Sequence, residues 1–311
     1  MRLLATSAVL GLIWFGVTNI AATLIAYGLT RATDSRRLSA GCLLTLRLMP
    51  AAVSTFFVAA LFLPAHLRHE PANSDESFGI ALVSAAVLSL MLIGRGVVRA
   101  VRALRTDIAV AAVMRRLARP YGQAFEVRGF AGVSLAGILR PRIFIGSSAL
   151  AALTPAELDA AISHELAHRR SLDNFKRFLI CCAPDVFGLL PIARRLEDRW
   201  EAETECQADA RAVCGDTSRA VVLASALVKV ARLPRPAAIH PAPLWSGFHA
   251  AALLETRVRR LVDGQTTVPR MGTWAWCAVA LVASALPLAA WTFNLTYAVH
   301  VATEVLVTYL P

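Results

Sequence analysis

Apolar residues in this 311-residue chain gather into long unbroken runs before any strand or helix period shows. A bilayer core is crossed by about 20 consecutive apolar residues in one helix, so runs of that length read as spans. Four segments qualify. The first runs from about Leu3 to Leu29, with no charge between Arg2 and Arg31. It is too long for a cleaved signal peptide, and a small-x-small cleavage site is not evident. The second runs from about Leu44 to Ala65, with Arg47 near one end, where it is expected to snorkel to the interface. The third covers Phe78 to about Ile93. The fourth covers about Trp274 to Thr296, with Trp274, Trp276, Trp291 and Tyr297 near its ends as interfacial anchors.

Between the third and fourth runs the pattern shortens. Phe125–Phe130 and Arg142–Ile145 read as strands, separated by Gly132, Gly137 and Pro141. Thr154 reads as an N-cap, with Pro155 at the first helical position and Glu157 completing a capping box. The helix this predicts runs from Pro155 to about Arg170. Leu179–Ile192 is apolar but too short to span, and Pro184, Asp185 and Pro191 interrupt it. It reads as a core helix in preference to a membrane-dipping loop. Further helices are expected from about Pro191, over Val221–Arg232 and over Ala250–Val262, the last ended by Gly264. Leu233–Phe248, with four prolines, is loop-like.

Composition agrees with the runs. The chain is 57% hydrophobic with a mean hydropathy of +0.56, against roughly 45–50% apolar in soluble globules. Its formal charge of +11 comes almost entirely from Arg. No nucleic-acid recognition module accompanies that charge, so direct nucleic-acid binding is not expected. The Arg residues flank the apolar runs instead. Arg31, Arg36 and Arg37 follow the first. Arg95, Arg99, Arg102 and Arg105 follow the third, in a helical stripe suited to anionic headgroups. Arg257, Arg259, Arg260 and Arg270 precede the fourth, whereas the second linker carries Arg68 against Glu70, Asp75 and Glu76. Cytoplasmic flanks are the basic ones. Both termini are therefore expected outside, and the region from about Arg95 to Arg270 inside. The six cysteines include no CxxC pair and read as small apolar side chains.

Candidate chemistry centres on His164-Glu165-Leu166-Ala167-His168. Residues i and i+4 share a helix face, so two imidazoles can hold one Zn²⁺ while the Glu between them serves as general base. Ala160, His164 and His168 lie on that face, and Leu158, Ile162 and Leu166 lie on another that can pack on a core. Catalytic zinc takes three protein ligands and keeps one position open. Glu201, Glu205 and Asp209 share a face of the next helix, and a cation is one reason to cluster three acids. Glu205 is the preferred third ligand, with Glu201 and Glu203 as alternatives. Asp209, one turn on, is placed to accept the free N–H of a ligating His. His240 and His249 read as loop histidines, and His66, His69 and His300 fall outside by the topology.

Gly137–Ile145, Leu153–Leu158 and His164–Asn174 resemble the BlaR/MecR-type family of bacterial membrane zinc metallopeptidases. The Glu205–Asp209 stretch is similar to the third-ligand motif of the related HtpX-like and CAAX-endopeptidase families, and Leu254–Leu261 to a late helix in these groups. The resemblance implies that His164, His168 and Glu205 bind zinc and that Glu165 is catalytic. It implies a mostly α membrane protein with four transmembrane helices and a cytoplasmic gluzincin-like α+β metallopeptidase domain between spans three and four. The expected divisions are residues 1–94, 95–270 and 271–311. Arg142–Ile145 is the expected edge strand, open to an extended substrate by β-augmentation. The best-known members carry a penicillin-binding sensor after the last span. None is expected here, since Pro311 follows soon after Thr296.

The function expected is proteolysis of a cytoplasmic protein, such as a transcriptional repressor, by a multi-pass enzyme of the bacterial inner membrane, with homodimerisation open. Turnover of damaged membrane proteins, or non-proteolytic signal relay, are the other readings.

Overall fold

In a computed structural model, residues 2–32, 38–69, 78–234, 246–247, 254–264 and 295–309 are described. They divide into two compact units. The first draws on Met1–Val97, Ala183–Glu197 and Arg270–Pro311, the second on Val98–Cys182 and Asp198–Pro269.

In the first unit, α1 (Arg2–Ala32) packs along α2 (Ala40–Phe56). Helix α2 passes through a π-helical turn, Phe57–Phe62, into α3 (Leu63–His69). Helix α4 (Ile80–Leu117) is 38 residues long, about 57 Å at 1.5 Å per residue. Three helical stretches, Ala5–Ala32, Ala40–His69 and Ile80–Leu117, are long and apolar enough to cross a membrane. Their outward faces are apolar, with Leu24, Leu88 and Met91 about two-thirds exposed, as lipid-facing positions require. Leu10, Ile13, Phe62, Leu82 and Val299 form the core between them. The Gly16 Cα lies so close to α4 that an added Cβ would stand 2.5 Å from Ser89 Oγ, the tight approach small residues permit. Residues 274–294 of the expected fourth span lie outside the described residues. The segment that follows, for which the hydrophobic pattern set no element, is helix α11 (Leu295–Tyr309). There Thr303 Oγ1 accepts from Trp14 Nε1 at 3.1 Å.

Two expectations for this unit are corrected. Arg47 does not snorkel: it is 2% exposed, because Asp185 meets it inside the unit at 2.9 Å. Leu179–Ile192 is no single core helix. It ends α7 (Asp173–Cys182), leaves the helix at Ala183, makes a 3₁₀ turn at Phe187–Leu189 and starts α8 (Pro191–Val213). Pro184 and Pro191, which cannot donate within a helix, bound the break. From Ala183 the segment belongs with α1 and α2.

The second unit holds a five-stranded sheet in the order β1-β2-β4-β3-β5. Strands β1 (Ala118–Tyr121) and β2 (Ala124–Val127) form a hairpin around Gly122, whose φ of +55° suits glycine. Strand β4 (Arg142–Gly146) runs parallel to β2 and antiparallel to β3 (Val133–Ala136). Hence β4 is interior, not the edge strand expected. On its far side β3 pairs through Ser134 and Leu135 with the outermost strand, β5 (Ser246–Gly247). Strands β1 and β3 lack a strong alternating pattern: β1 is mostly exposed and β3 wholly buried.

One sheet face is covered by Met114 of α4 with Val127, Phe130 and Phe144. Beyond the other lie α6 (Pro155–Ser171), α9 (Thr217–Ala231) and α10 (Leu254–Val262), joined by Leu135, Ile143, Ile145, Leu158, Leu223, Leu227 and Leu261. A short α5 (Ser147–Ala152) leads into α6. The capping box forms as expected: Thr154 N donates to Glu157 Oε2 at 2.8 Å and Glu157 N to Thr154 Oγ1 at 3.3 Å. All five cysteines among the described residues are free, and Cys277 lies outside them.

Candidate metal centre

Helix α6 presents His164 and His168 one turn apart, both fully buried. Helix α8 (Pro191–Val213) presents Glu205, 3% exposed, against them. His164 Nε2 and His168 Nε2 lie 3.1 Å apart. Glu205 Oε2 is 3.4 Å from the first and Oε1 3.5 Å from the second. Bonds of 2.0–2.2 Å at tetrahedral angles put ligand atoms roughly 3.3–3.6 Å apart. His164, His168 and Glu205 thus form a group that could hold a metal ion, the one such group among the described residues.

The far side of each imidazole tells how its protons lie. His164 Nδ1 meets Asp209 Oδ1 at 2.8 Å, and His168 Nδ1 meets Asp173 Oδ2 at 2.8 Å. A carboxylate accepts, so each Nδ1 carries the proton and each Nε2 turns a lone pair inward. Two nitrogen lone pairs and a carboxylate then converge within a buried space. Without a cation the same cluster must hold protons. Burial opposes charge on His168, but Glu205 and Asp173 outweigh it and hold the ring at about 9. For His164 burial likewise opposes charge, and Asp209 with Glu205 raises it. Glu205 is held well below the carboxylate range: burial is outweighed by His168 and Arg257.

Glu165 is fully buried next to the pair. Burial pushes its carboxyl up to about 7, against the pull of His164 and His168. A backbone hydrogen bond from Leu135 ties it to β3.

Of the three candidate third ligands, the structure brings Glu205 alone to the histidines. The Glu201 side chain is 51% exposed, with Arg177 Nε 3.7 Å away. Glu203 accepts from Gln207 at 3.4 Å. Asp209 stands where the sequence put it. His240 and His249 lie outside the described residues. His66, His69 and His300 belong to the other unit, where His69 stacks on His300 at 5.7 Å.

Three contributors escaped the sequence reading. Asp173 reaches His168 because Leu172 ends α6 in the left-handed region, φ 55°, and turns the chain back. An acid five residues after the second His was the available signal. Asn174 Nδ2 donates to Leu135 O and Gly137 O, both at 3.0 Å, tying the start of α7 to the end of β3. Arg257, a flanking charge within the late-helix segment Leu254–Leu261, carries no site role in the sequence reading. It is 2% exposed and forks onto Asp209, Nε to Oδ2 at 2.7 Å and Nη2 to Oδ1 at 2.6 Å. Its Nη1 is 3.0 Å from Glu205 Oε2. Leu254, Val258 and Leu261 make one apolar stripe on α10, and an arginine set into that stripe was the visible clue.

Comparison with protein-family models finds no matching family, and comparison with curated proteins finds no matching relative. The family resemblance rests on the motifs quoted above.

Proposed function

We propose that this protein is a membrane-embedded zinc endopeptidase of the BlaR/MecR type that cleaves a cytoplasmic regulator such as a transcriptional repressor. The observation that carries the reading is the convergence of His164 Nε2, His168 Nε2 and the Glu205 carboxylate beside a buried glutamate. Two nitrogens and one oxygen suit Zn²⁺. When bound, such an ion supplies Lewis acidity, polarising a carbonyl and lowering the pKa of water toward about 7.

The chain's own residues do the rest. Glu165, held near neutrality, takes a proton from the attacking water and returns it to the leaving amine. Asp173 and Asp209 fix the imidazole tautomers. Arg257 keeps Glu205 and Asp209 ionised. The basic stripe Arg95–Arg105 supports a cytoplasmic site for this chemistry at the inner membrane.

The test is Glu165→Gln in purified, detergent-solubilised protein, read with labelled casein and with metal analysis. Expected are one zinc per chain in both forms and at least a hundredfold loss of cleavage, in the range for a general base. Unchanged cleavage would sink the mechanism, and absence of stoichiometric zinc in the unmutated protein would sink the metal centre.

A further inference from the structure

Among the described residues, a second buried polar network lies in the first unit. Arg47 Nη1 meets the fully buried Asp185 Oδ2 at 2.9 Å, and Arg47 Nε also donates to Glu197. Asn19, fully buried on α1, grips the same segment. Its Nδ2 donates to Pro184 O at 3.2 Å, and Val186 N–H donates to its Oδ1 at 2.9 Å. A Cβ on Gly188 would stand 2.7 Å from Arg47 Nη2, so glycine alone leaves the guanidinium room. Asn19 falls near the middle of the Ala5–Ala32 span, and Arg47 falls inside the Ala40–His69 span.

A buried ionisable group such as Arg47, seven residues into the Ala40–His69 stretch, is costly and marks a functional position. Stability alone does not call for one, because apolar residues of matched volume replace buried ion pairs without loss. What a charge pair adds is a directional contact that either holds or breaks. We propose that Arg47 and Asp185 form an intramembrane latch through which α1 and α2 set the conformation of α8, the helix that carries Glu205. The proposal rests on reading α1 and α2 as spans and His164, His168 and Glu205 as a metal centre. Glu197 and Glu205 lie on that one helix, about two turns apart. A shift of α1 against α2 acts first on the Asn19 and Arg47 contacts to residues 184–197. The helix passes the displacement along its axis to the ligand.

The test uses the full chain in nanodiscs loaded with Zn²⁺. It reads the rate of zinc release to a chelator and amide hydrogen exchange across 191–213. Neither readout needs peptidase activity, so a failed casein assay counts against the enzyme reading and not against the latch. Arg47→Met strands the buried Asp185, and Asp185→Leu leaves Arg47 with Glu197 as its carboxylate partner. Each is expected to speed release and α8 exchange about tenfold, the usual size of coupling between sites. The apolar double variant Arg47→Met/Asp185→Leu strands no fully buried charge, since Glu197 is about one-third exposed, and is expected to fold yet release zinc as fast as the single variants. If the single variants fail to fold, the double variant decides. Arg47→Lys, which keeps the charge and loses the fork, is expected to fall between it and the unmutated protein. Unmutated rates of release and exchange in the folded variants would overturn the latch.

Discussion

Arg257 touches Glu205 and Asp209 at once, and its Nη2 lies 3.5 Å from the His164 ring. Replacing it with Met leaves two buried carboxylates without their cation. Metal affinity is expected to fall roughly 10–100-fold, as when an outer partner of a ligand is lost, and Arg257→Lys to recover only part, because an ammonium cannot fork onto Asp209. Competition with a fluorescent zinc chelator measures both. Glu165 gives a pH prediction. Burial raises its carboxyl to about 7, and the base must be ionised, so kcat/KM is expected to rise with pH along an acidic limb at or below about 7. A bound dication favours the carboxylate and moves that limb lower. An acidic limb that persists unchanged in the residual activity of Glu165→Gln would contradict the assignment. At this scale the sequence was most legible where chemistry is local: His164, Glu165 and His168 follow from one helix turn, and Glu205 with Asp209 from another. Asp173 depends on a left-handed residue, and Arg257 on docking of α10. Neither follows from spacing alone.

Helix α6 owes its start to Thr154 and Glu157, and Glu157 serves twice. Ser225 Oγ donates to its Oε1 and Lys229 Nζ to its Oε2, each at 2.7 Å, joining α6 to α9. Thr154→Ala is expected to cost about 1 kcal/mol, the usual value of an N-cap, in urea unfolding. Burial works against the ionised Glu157, but Lys229, Ser225 and Thr154 prevail and hold it at about 2, below the ordinary 4.5. Its contribution is therefore complete above about pH 4.5 and is lost as pH falls toward 2. Glu157→Gln is expected to flatten that acid limb of the stability profile. The elements easiest to anticipate were those with strong local signals, such as the capped α6 and the long apolar helices. Strand β4 read as an edge because order within a sheet is a tertiary fact: its neighbours β2 and β3 pair on both sides of it. The break after Cys182 was visible in Pro184 and Pro191, but its destination was not. Asp185 finds Arg47 across 138 residues of sequence.

For the whole molecule, binding a metal only in the folded state links occupancy to stability. Zinc at a hundred times its dissociation constant is expected to add about 2.7 kcal/mol, and chelation to remove it, seen as a shift in thermal unfolding of the solubilised protein. His164→Ala should abolish that shift. Of the four spans set out by the apolar runs, three are helices long and apolar enough to cross a membrane among the described residues, and most of the fourth lies outside them. The third continues without a break through the helical basic stripe and on to Leu117. An unbroken helix whose greasy stretch gives way to arginines at Arg95 acts as a gauge of acyl-chain length. In thinner lipid it must lean, and in thicker lipid Arg95 and Arg99 are drawn toward the oil. Reconstitution in short-chain and long-chain phosphatidylcholine should therefore change the inclination of α4, making lipid thickness itself a variable to which this protein responds.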